Sequence, residues 1–391
     1  MLFDTIEILL LSVLAFCLIA QLLFYWVVLA KPYYYLLSVA KNKIRLPSYQ
    51  PPVSVIICIK NNYYDLAVLL PPILEQDYPE FEVIVVTDGL SDENEETLMQ
   101  LKRQYENLYA THIPEDTRNV SRKKLGLTLG IKAAKYETFL FMEADGKIRS
   151  EKWISLMSRH FRSKTIVLGF SAMEKRKGIA SKFRAYDYFF SNLQMISLAL
   201  FRHPYAGNGR NLGYAKKHFT EQRGFVKHRI LQQGEDDLFV NEIANRKNTA
   251  VEFSAKSVVI AGINEHYDWK KWKTDRAITS DFYKPGPHAL WRFEMLIRCC
   301  FGISFIACIL LGYPYLQTSD FWAPGIALFC FLGRFFSQLY VINRTASGLH
   351  LEKFYLTIPF FDLFQVFVNI YFYIYGLFKR KENYTYKYEK R

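Results

Sequence analysis

The stretch VSVIICI, residues 53–59, decides the fold of the middle of this chain. It is a short apolar run rich in β-branched residues, with PP before it and KNN after it, which is typical of a parallel strand buried on both faces. FEVIVVTDG (81–89) and ETFLFMEADG (137–146) have the same character, and YATHI (109–113) is a further possible strand. Helical spacing occurs at about 93–106 and in KKLGLTLGIKAAK. This alternation predicts an α/β domain with a mostly parallel sheet.

Carboxylates stand at the ends of two of these predicted strands. Asp88 ends the second strand, and Glu143 and Asp145 come directly after the apolar run FLFM. Ligands of open α/β sheets bind beyond the carboxyl ends of the strands, so the position of these acids suggests a site. Acids also form turns and cap helices, and that structural alternative stays open for the pair taken alone.

Two further motifs strengthen the case for a site. QQGEDDLFVNEIA (232–244) sets Glu235, Asp236 and Asp237 at the start of a predicted helix, where the helix dipole stabilises acids. One cap does not need three carboxylates, which repel one another unless a cation, a bound hydroxyl or a raised pKa relieves them. GNGRNLGYAKKHF (207–219) lacks the spacing and the preceding strand of a dinucleotide-binding loop, and indicates a tight loop that exposes its backbone.

The two ends of the chain are much more hydrophobic than the middle. Residues 6–30 are long enough to cross a bilayer, and no preceding basic region or small-residue cleavage site supports a signal peptide. Two later stretches, 295–315 and 321–342, predict a membrane hairpin joined by PYLQTSD. The last stretch, 355–378, either crosses the membrane or lies in its interface. We slightly favour the interface, because the basic tail KRKENYTYKYEKR then stays on the side where basic residues gather.

Charge indicates an orientation for the part between these ends. No Lys or Arg precedes the first apolar stretch, whereas Lys31, Lys41, Lys43 and Arg45 follow it. Basic residues accumulate on the cytoplasmic side of a spanning helix, so we expect the middle domain to lie in the cytoplasm. The predicted organisation is an N-terminal transmembrane anchor (1–31), a cytoplasmic α/β domain (48–280) and a C-terminal membrane region with a basic tail (281–391).

Composition narrows the classes of partner. The net charge of +13 suits nucleic acid, an anionic membrane surface or a phosphorylated substrate. The sequence YDWKKWKTDR (267–276) spaces Trp269 and Trp272 on one helical face among basic residues, which predicts an interfacial helix, with gripping of substrate as the alternative. A nucleic-acid binder or a transporter is disfavoured, because there is no base-reading module and there are few clear spans. The six cysteines have no metal-binding spacing and are interpreted as reduced packing residues.

Together these motifs resemble the family 2 glycosyltransferases, which are membrane-associated enzymes of the GT-A fold. The resemblance covers about residues 51–280 and rests on the order and spacing of four stretches, namely PPVSVIICIK to SDENEET, SRKKLGLTLGIKAAKYETFLFMEADGKIRSEKWI, GNGRNLGYAKKHF and GEDDLF. It implies a multi-pass enzyme of the inner (cytoplasmic) membrane, of the bacterial envelope type. Such an enzyme moves a sugar, with inversion, from a nucleotide-diphosphate donor to a hydroxyl of a lipid-linked or envelope-glycan acceptor. The QxxRW-type motif of processive synthases is absent, which favours non-processive transfer.

The resemblance also implies a role for individual residues. The nucleotide sugar would contact Lys60, Asp88, Lys124 and Glu143. Asp145 would bind Mg²⁺ or Mn²⁺, and Asp236 would act as general base with Glu235 and Asp237 beside it. The acceptor side would include Gly207, Arg210, Trp269 and Trp272. Two departures from the family pattern, Thr87 in place of an Asp and Glu143 in place of a shorter Asp, leave open an inactive, nucleotide-binding membrane scaffold subunit.

Overall fold

The computed structural model describes residues 2–60, 65–117, 120–262, 266–312 and 322–385. Its strands are β1 (Val53–Lys60), β2 (Phe81–Asp88), β3 (Leu108–His112), β4 (Thr138–Glu143), β5 (Gly146–Ile148), β6 (Ile166–Leu168), β7 (Ser171–Met173), β8 (Leu212–Ala215), β9 (Thr249–Val251) and β10 (Val259–Ala261). Its α-helices are α1 (Leu2–Leu23), α2 (Lys31–Ala40), α3 (Leu66–Leu69), α4 (Pro71–Leu74), α5 (Asp92–Gln104), α6 (Arg122–Ala133), α7 (Trp153–Ser158), α8 (Ile179–Leu200), α9 (Lys216–Glu221), α10 (Asp237–Ile243), α11 (His266–Ser280), α12 (Pro287–Gly312), α13 (Trp322–Gly348) and α14 (Ile358–Lys379). A π-helical turn covers Phe24–Leu29, and short 3₁₀ turns cover Arg159–Arg162, Val226–His228, Tyr355–Thr357 and Arg380–Asn383.

Four strands of the main sheet are parallel to one another. β1 lies between β2 and β4 and is parallel to both, and β3 extends the parallel set beside β2. β8 enters antiparallel between β4 and β6, and β9 completes a seven-stranded sheet of order β3-β2-β1-β4-β8-β6-β9. A separate three-stranded sheet has the order β5-β10-β7. The predicted α/β class with a mostly parallel sheet is confirmed, and each of the four predicted strands forms.

The register of these strands brings their carboxyl ends together. Cys58 of β1 pairs with Glu143 of β4, and Lys60 of β1 pairs with Asp88 of β2. The start of β1, Val53–Ile57, is fully buried, as its run of β-branched residues predicts. Because parallel strands end at the same edge, the acids that follow β2 and β4 open on one side of the sheet.

Helix α6 packs closely on β1 and β2 because two of its glycines face the sheet. A Cβ atom at Gly130 would lie 2.7 Å from Ile56 Cγ2, and a Cβ atom at Gly126 would lie 3.2 Å from Cys58 Sγ. This approach sets the first turn of α6 near the strand ends, where Lys123 donates a hydrogen bond to the carboxylate that ends β4. The packing of two small residues therefore determines which side chains of α6 reach the site.

Four segments of the described chain are long and apolar enough to cross a membrane, namely Thr5–Ala40, Ala289–Leu310, Trp322–Gly348 and Tyr355–Lys379. Helices α1, α12 and α13 pack on one another through a buried apolar cluster that includes Leu14, Phe301 and Ala327. The segment PYLQTSD, predicted to join the hairpin, lies outside the described residues. The apolar helices at both ends of the chain therefore form one bundle.

Helix α14 differs from these three because it stays beside the α/β domain along its length. Near its start, the ring of Phe361 packs on Phe183 of α8. Near its end, a Cβ atom at Gly376 would lie 3.5 Å from side chains of α11. Beyond the helix, the backbone N–H of Gln232 donates to the carbonyl of Asn383 at 2.8 Å. Both ends of α14 are thus in contact with the α/β domain.

Buried ionic groups join the helical bundle to the α/β domain. Asp362 of α14 accepts a hydrogen bond from Arg334 of α13, and its Oδ1 lies 3.2 Å from a guanidinium nitrogen of Arg298 on α12. Gln365 accepts a hydrogen bond from Arg298 at 3.0 Å and donates one to Asp187 of α8 at 2.8 Å. These groups are nearly inaccessible to solvent, so each charge depends on its partner.

Replacing the central acid of this network should destabilise the protein strongly. Asp362→Asn removes the negative charge between Arg298 and Arg334, and breaking a buried ion pair from one side costs about 3–5 kcal/mol. The midpoint of thermal unfolding, measured on the detergent-solubilised full chain, should fall by several degrees. As a control, Glu174→Gln opens an exposed pair with Lys147 at 3.4 Å, which is worth about 0–1 kcal/mol. Equal midpoints for the two variants would contradict the role of the network.

Candidate functional site

Acids from two distant parts of the sequence meet at the sheet edge. Glu143, Glu235 and Asp236 line one small cavity, of about 30 Å³, together with Lys123 and Gly209. A Cβ atom at Gly209 would lie 3.1 Å from Glu143 Oε1 and 3.4 Å from Asp236 Cβ, so only a glycine lets these two acids approach the loop so closely. The acid that ends β4 and the acid predicted as general base therefore share a cleft.

Lys123 neutralises two of the acids in this cavity. Its Nζ donates to Glu143 Oε1 at 2.8 Å and lies 2.6 Å from Glu235 Oε1. Burial disfavours the ionised form of Glu143, but Arg210 and Lys123 outweigh burial and lower the pKa of Glu143 to about 2. Burial has the larger influence on Glu235 and raises its pKa. Glu235 Oε2 is buried without a hydrogen-bond partner among the described residues, which leaves this oxygen to a ligand or a proton.

Arg210 lies against Asp145 and Glu143. Its Nε donates to Asp145 Oδ1 at 2.9 Å and its terminal nitrogen donates to Asp145 Oδ2 at 2.7 Å, in a fork that suits a planar guanidinium. The same terminal nitrogen lies 2.9 Å from Glu143 Oε2. Arg210 thus sits with the residues predicted to hold the metal and the nucleotide sugar, and not apart from them on an acceptor side.

Asp236 caps α10 and retains room for one more hydrogen bond. Its Oδ1 accepts from the N–H of Asp237 at 2.6 Å, and its Oδ2 accepts from the N–H of Gly209 at 2.9 Å with Arg276 at 3.3 Å. A carboxylate offers about four lone-pair positions, so these donors leave one on Oδ1. The side chain of Asp236 is 17% exposed, so this position is within reach of a bound hydroxyl.

Asp237 and Gly207 hold helix α11 against the site. The carboxylate of Asp237 accepts hydrogen bonds from Thr279 and Tyr283 and lies 3.3 Å from Arg276. Arg276 also donates to the carbonyl of Gly207 at 2.7 Å. Asp237 is almost fully buried. It lies beside the predicted general base, as expected, but its contacts position α11 and do not face a substrate.

The residues predicted to bind the nucleotide have three different environments. Asp88 Oδ1 accepts a hydrogen bond from Arg122 Nε at 2.6 Å, and Lys60 is exposed at the end of β1. Lys124 is buried, and its Nζ donates to two backbone carbonyls of the loop before GEDD, at 2.6 and 2.9 Å. Burial lowers the pKa of Lys124 to about 8. Lys124 therefore fixes that loop, while Asp88 and Lys60 stay at the open edge of the sheet.

The two tryptophans predicted on the acceptor side have different surroundings. Trp269 is buried, donates to Asp187 Oδ2 at 3.1 Å and packs on Phe372 of α14. Trp272 lines a second, larger cavity between α11 and the apolar helices. The helix predicted to face a membrane surface instead directs both tryptophans toward protein, because Asp187 provides a buried acceptor and α14 covers the helix.

Comparisons with known proteins identify the family of the α/β domain and its fold. Residues 54–228 match the family model described as Glycosyl transferase family 2. These residues form a family 2 glycosyltransferase domain. A search of curated protein sequences found no match.

Similarity to the first of two solved structures supports the GT-A fold of this glycosyltransferase domain. The mannosyltransferase PcManGT from Pyrobaculum calidifontis, solved in complex with GDP-Man and Mn²⁺, has a TM-score of 0.50 and 16% sequence identity, and the match covers 94% of this chain and 98% of that chain. Residues 1–349 of S. aureus TarS give a TM-score of 0.40 and 15% identity over 85% of this chain and 91% of that chain. At these identities the likeness concerns the fold and not the substrate.

The carboxylate oxygens in this glycosyltransferase site fit a hard divalent cation in type. Among the described residues, no group of three or more His, Cys, Asp and Glu side chains could hold a metal ion. Asp145 and Glu143 offer carboxylate oxygens, which Mg²⁺ and Mn²⁺ prefer, and such ions often take only one or two protein carboxylates beside phosphate oxygens. Both oxygens of Asp145 already accept hydrogen bonds from Arg210, so a cation there must share this carboxylate with the guanidinium or displace it.

Three cationic side chains of the glycosyltransferase site are not among the residues predicted from the sequence. Lys123, Arg122 and Arg276 contact acids from other elements, at 2.5–3.3 Å. Lys123 and Arg122 precede Lys124 on the first turn of α6, and the N-cap at Ser121 was the available signal that this turn begins at the strand ends. Arg276 lies one turn beyond Trp272, and no local pattern singles it out.

Proposed function

We propose that this glycosyltransferase moves a sugar, with inversion, from a nucleotide diphosphate at the sheet edge to a hydroxyl of a lipid-linked or envelope-glycan acceptor. One observation carries the proposal: Asp236, with an open oxygen, lines the same cavity as Glu143, which the guanidinium of Arg210 links to Asp145. That arrangement provides a base and a diphosphate-binding region within one cleft. The absence of a QxxRW motif supports non-processive transfer.

The donor half of the site would use the ends of β1, β2 and β4. Asp88 and Lys60 stand where a nucleoside would extend along the strand ends, and Lys123 and Arg210 present cationic nitrogens to the diphosphate. Glu143 and Asp145 hold these two cations in place through contacts of 2.7–2.9 Å. The positive side chains would stabilise the negative charge that grows on the diphosphate as its bond to the sugar breaks.

The acceptor half would rest on Asp236. The open lone pair of Asp236 Oδ1 accepts the proton of the acceptor hydroxyl as its oxygen attacks the anomeric carbon from the face opposite the diphosphate. The carbon–oxygen bond to the diphosphate breaks, its electron pair leaves with the nucleoside diphosphate, and the proton passes from Asp236 to solvent. The site needs only this one carboxylate at the sugar carbon, which supports inversion over a double displacement.

A divalent cation, Mg²⁺ or Mn²⁺, would be held by Asp145 with Glu143 beside it. When bound, it would supply Lewis-acid stabilisation of the diphosphate. Charge supports its presence, because the described cluster sets five carboxylates (Glu143, Asp145, Glu235, Asp236 and Asp237) against four cations (Lys123, Lys124, Arg210 and Arg276). A nucleotide diphosphate adds further negative charge, and like charges at these distances disfavour binding.

Membrane placement follows from the helical bundle. We infer that α1, α12 and α13 cross the inner membrane and that the glycosyltransferase domain faces the cytoplasm, where basic residues follow α1. We further infer that α14 lies in the membrane interface. A spanning helix of 22 residues rises about 33 Å and would carry its far end away from the domain, yet both ends of α14 contact it.

Removing the open carboxylate of Asp236 should abolish most of the transfer. Asp236→Asn keeps the size of the side chain but lowers its basicity, so the rate of nucleoside diphosphate release should fall about 10²–10⁴-fold. The measurement is a screen of nucleotide sugars with the purified full chain, with donor binding followed separately. Glu137→Gln, at a side chain that is 77% exposed, is the control and should keep the parent rate. Donor binding without turnover for every sugar, in the parent as well, would favour the inactive scaffold.

Chelation should test the cation directly. Treatment with EDTA should remove nucleoside diphosphate release, and Mn²⁺ or Mg²⁺ should restore it, because the described cationic side chains do not balance the carboxylates. Asp145→Asn should raise the metal concentration needed for half-maximal rate. A parent rate that is unchanged by chelation would mean that Lys123 and Arg210 alone hold the diphosphate, and would refute the metal assignment.

The side on which the chain ends should report the path of α14. An epitope tag placed after Arg391 should be cleaved by protease in inside-out membrane vesicles, together with the glycosyltransferase domain, and should be protected in right-side-out vesicles. An interfacial α14 keeps the tag on the side of the domain. Cleavage of the tag only in right-side-out vesicles would show that α14 crosses the membrane.

A further inference from the structure

A second cavity, of about 280 Å³, lies between the glycosyltransferase domain and the apolar helices. Residues of α8, α11, α12, α14 and the loop before Asn208 line it. Its volume is near the lower end of the roughly 300–1,000 Å³ of small-molecule sites, which is room for a saccharide ring. Arg276 belongs to its wall and also contacts Asp236 at 3.3 Å, so the cavity adjoins the predicted base.

The lining combines flat aromatic faces with neutral hydrogen-bonding groups. Its rings belong to Tyr205, Trp272, Tyr283, Trp291, Phe372 and Tyr373. Its side-chain amides belong to Asn192, Gln194, Asn208, Gln365 and Asn369. The indole N–H of Trp272 is buried and has no hydrogen-bond partner among the described residues. A buried donor without a partner is costly, and an acceptor oxygen of a ligand would satisfy it.

The cations in the lining are already matched by acids. Lys273 Nζ donates to Asp187 at 2.6 Å, and Arg298 donates to Glu294 at 2.7 Å. Arg276 faces the acids of GEDD, as described above. A phosphate headgroup would have to compete with these acids for Lys273, Arg276 and Arg298, whereas a neutral polar group would not. The fourth lining cation, Arg292, is 57% exposed at the rim and lies 3.6 Å from Asp281. The chemistry therefore favours an uncharged, hydroxyl-rich ligand.

The outer surface beside the cavity is suited to hydrocarbon. On α12, Phe293 and Leu296 alternate with lining residues and are 52% and 58% exposed. On α14, Phe367 and Tyr371 do the same and are 61% and 54% exposed. A ligand whose head occupies the cavity can therefore extend an apolar chain along α12 and α14, within the bilayer that these helices would face.

We propose that this cavity binds the neutral saccharide headgroup of a glycolipid, with its hydrocarbon chain along α12 and α14. The inference rests on the proposed function and names the acceptor class of that same enzyme: the headgroup sugar is the acceptor, and its free hydroxyl is directed past Arg276 to Asp236. Trp272 donates a hydrogen bond to a sugar oxygen, and the neighbouring rings pack on the apolar face of the sugar.

Photolabelling of the full chain in lipid nanodiscs tests the site without relying on activity. The probe is an octyl β-glucoside that carries a diazirine in its alkyl chain. Labels should appear in residues 287–298 and 365–373, and unlabelled octyl glucoside should compete, whereas free glucose and octyl phosphate should not. Competition by octyl phosphate alone would assign the cavity to an anionic lipid, and competition by glucose alone to a soluble sugar. Either outcome overturns the proposal.

Neighbouring substitutions on one helix provide the matched variants. Asn369→Phe fills the cavity and should reduce labelling at least about tenfold, whereas Ile370→Phe, on the exposed side of α14, should leave it unchanged. Trp272→Phe removes the indole N–H together with part of the ring, and should weaken labelling by at least about 2-fold, the lower limit for one neutral hydrogen bond. Trp272→Phe still tests the site if the Asn369→Phe variant does not fold. Equal labelling of the parent, Asn369→Phe and Trp272→Phe refutes the site.

Donor turnover separates this inference from the function on which it rests. Slow hydrolysis of a nucleotide sugar to water, measured in the parent without any amphiphile, reports on the donor half of the site independently of the second cavity. Donor hydrolysis without glucoside labelling would leave the transferase standing and refute the acceptor site. Glucoside labelling without binding or hydrolysis of any nucleotide sugar would refute the transferase and its acceptor together, and would leave a glycoside-binding cavity alone.

Discussion

The neutralisation of carboxylates at one edge of a parallel sheet is the constraint on which the site depends. Five acids lie within a small volume, and the three cations in direct contact with them come from different elements: Lys123 from α6, Arg210 from the loop before β8, and Arg276 from α11. Acids so placed are tolerable only when these cations are present. The site is therefore assembled by tertiary packing, and α6, the loop and α11 must dock together for any one of them to be stable there.

Helix α11 extends this constraint to the bundle. Arg276 on one of its turns contacts the acids of the site, and on the preceding turns Lys273 and Trp269 bond to Asp187 of α8. Gln365 of α14 bonds to the same aspartate. A single buried carboxylate thus links the helix that carries Arg276 to the apolar helices. Displacement of the bundle relative to the domain would break these bonds, so the distance between the site and a membrane surface is set by the fold.

The strands and the position of the acids at their ends can be predicted from local sequence. The cations that reach the site are determined by contacts between residues that are distant in the sequence. Runs such as VSVIICI predict strands because their composition suits burial on both faces, and acids after such runs necessarily lie at the sheet edge. The choice between Lys123 and Lys124 is different. These residues are adjacent on a helix and point in directions about 100° apart, and the faces of Gly126 and Gly130 decide which one reaches the site. That choice depends on the shape of β1 and β2, which α6 alone does not encode.

The same reasoning explains why hydropathy alone does not decide whether α14 spans a membrane. A window of apolar residues measures only the cost of exposing a segment to water, and that cost is the same whether lipid, protein or an interface covers it. What separates α14 from α12 and α13 is a set of contacts with the α/β domain at both of its ends. Phe361 packs on α8 and Gly376 lies against α11, and beyond the last turn Asn383 accepts a hydrogen bond from Gln232. A helix that crossed the bilayer would exchange these contacts for lipid. The buried acid of Asp362 argues in the same direction, because its two arginines then lie where the bundle meets the domain and not at the centre of the hydrocarbon.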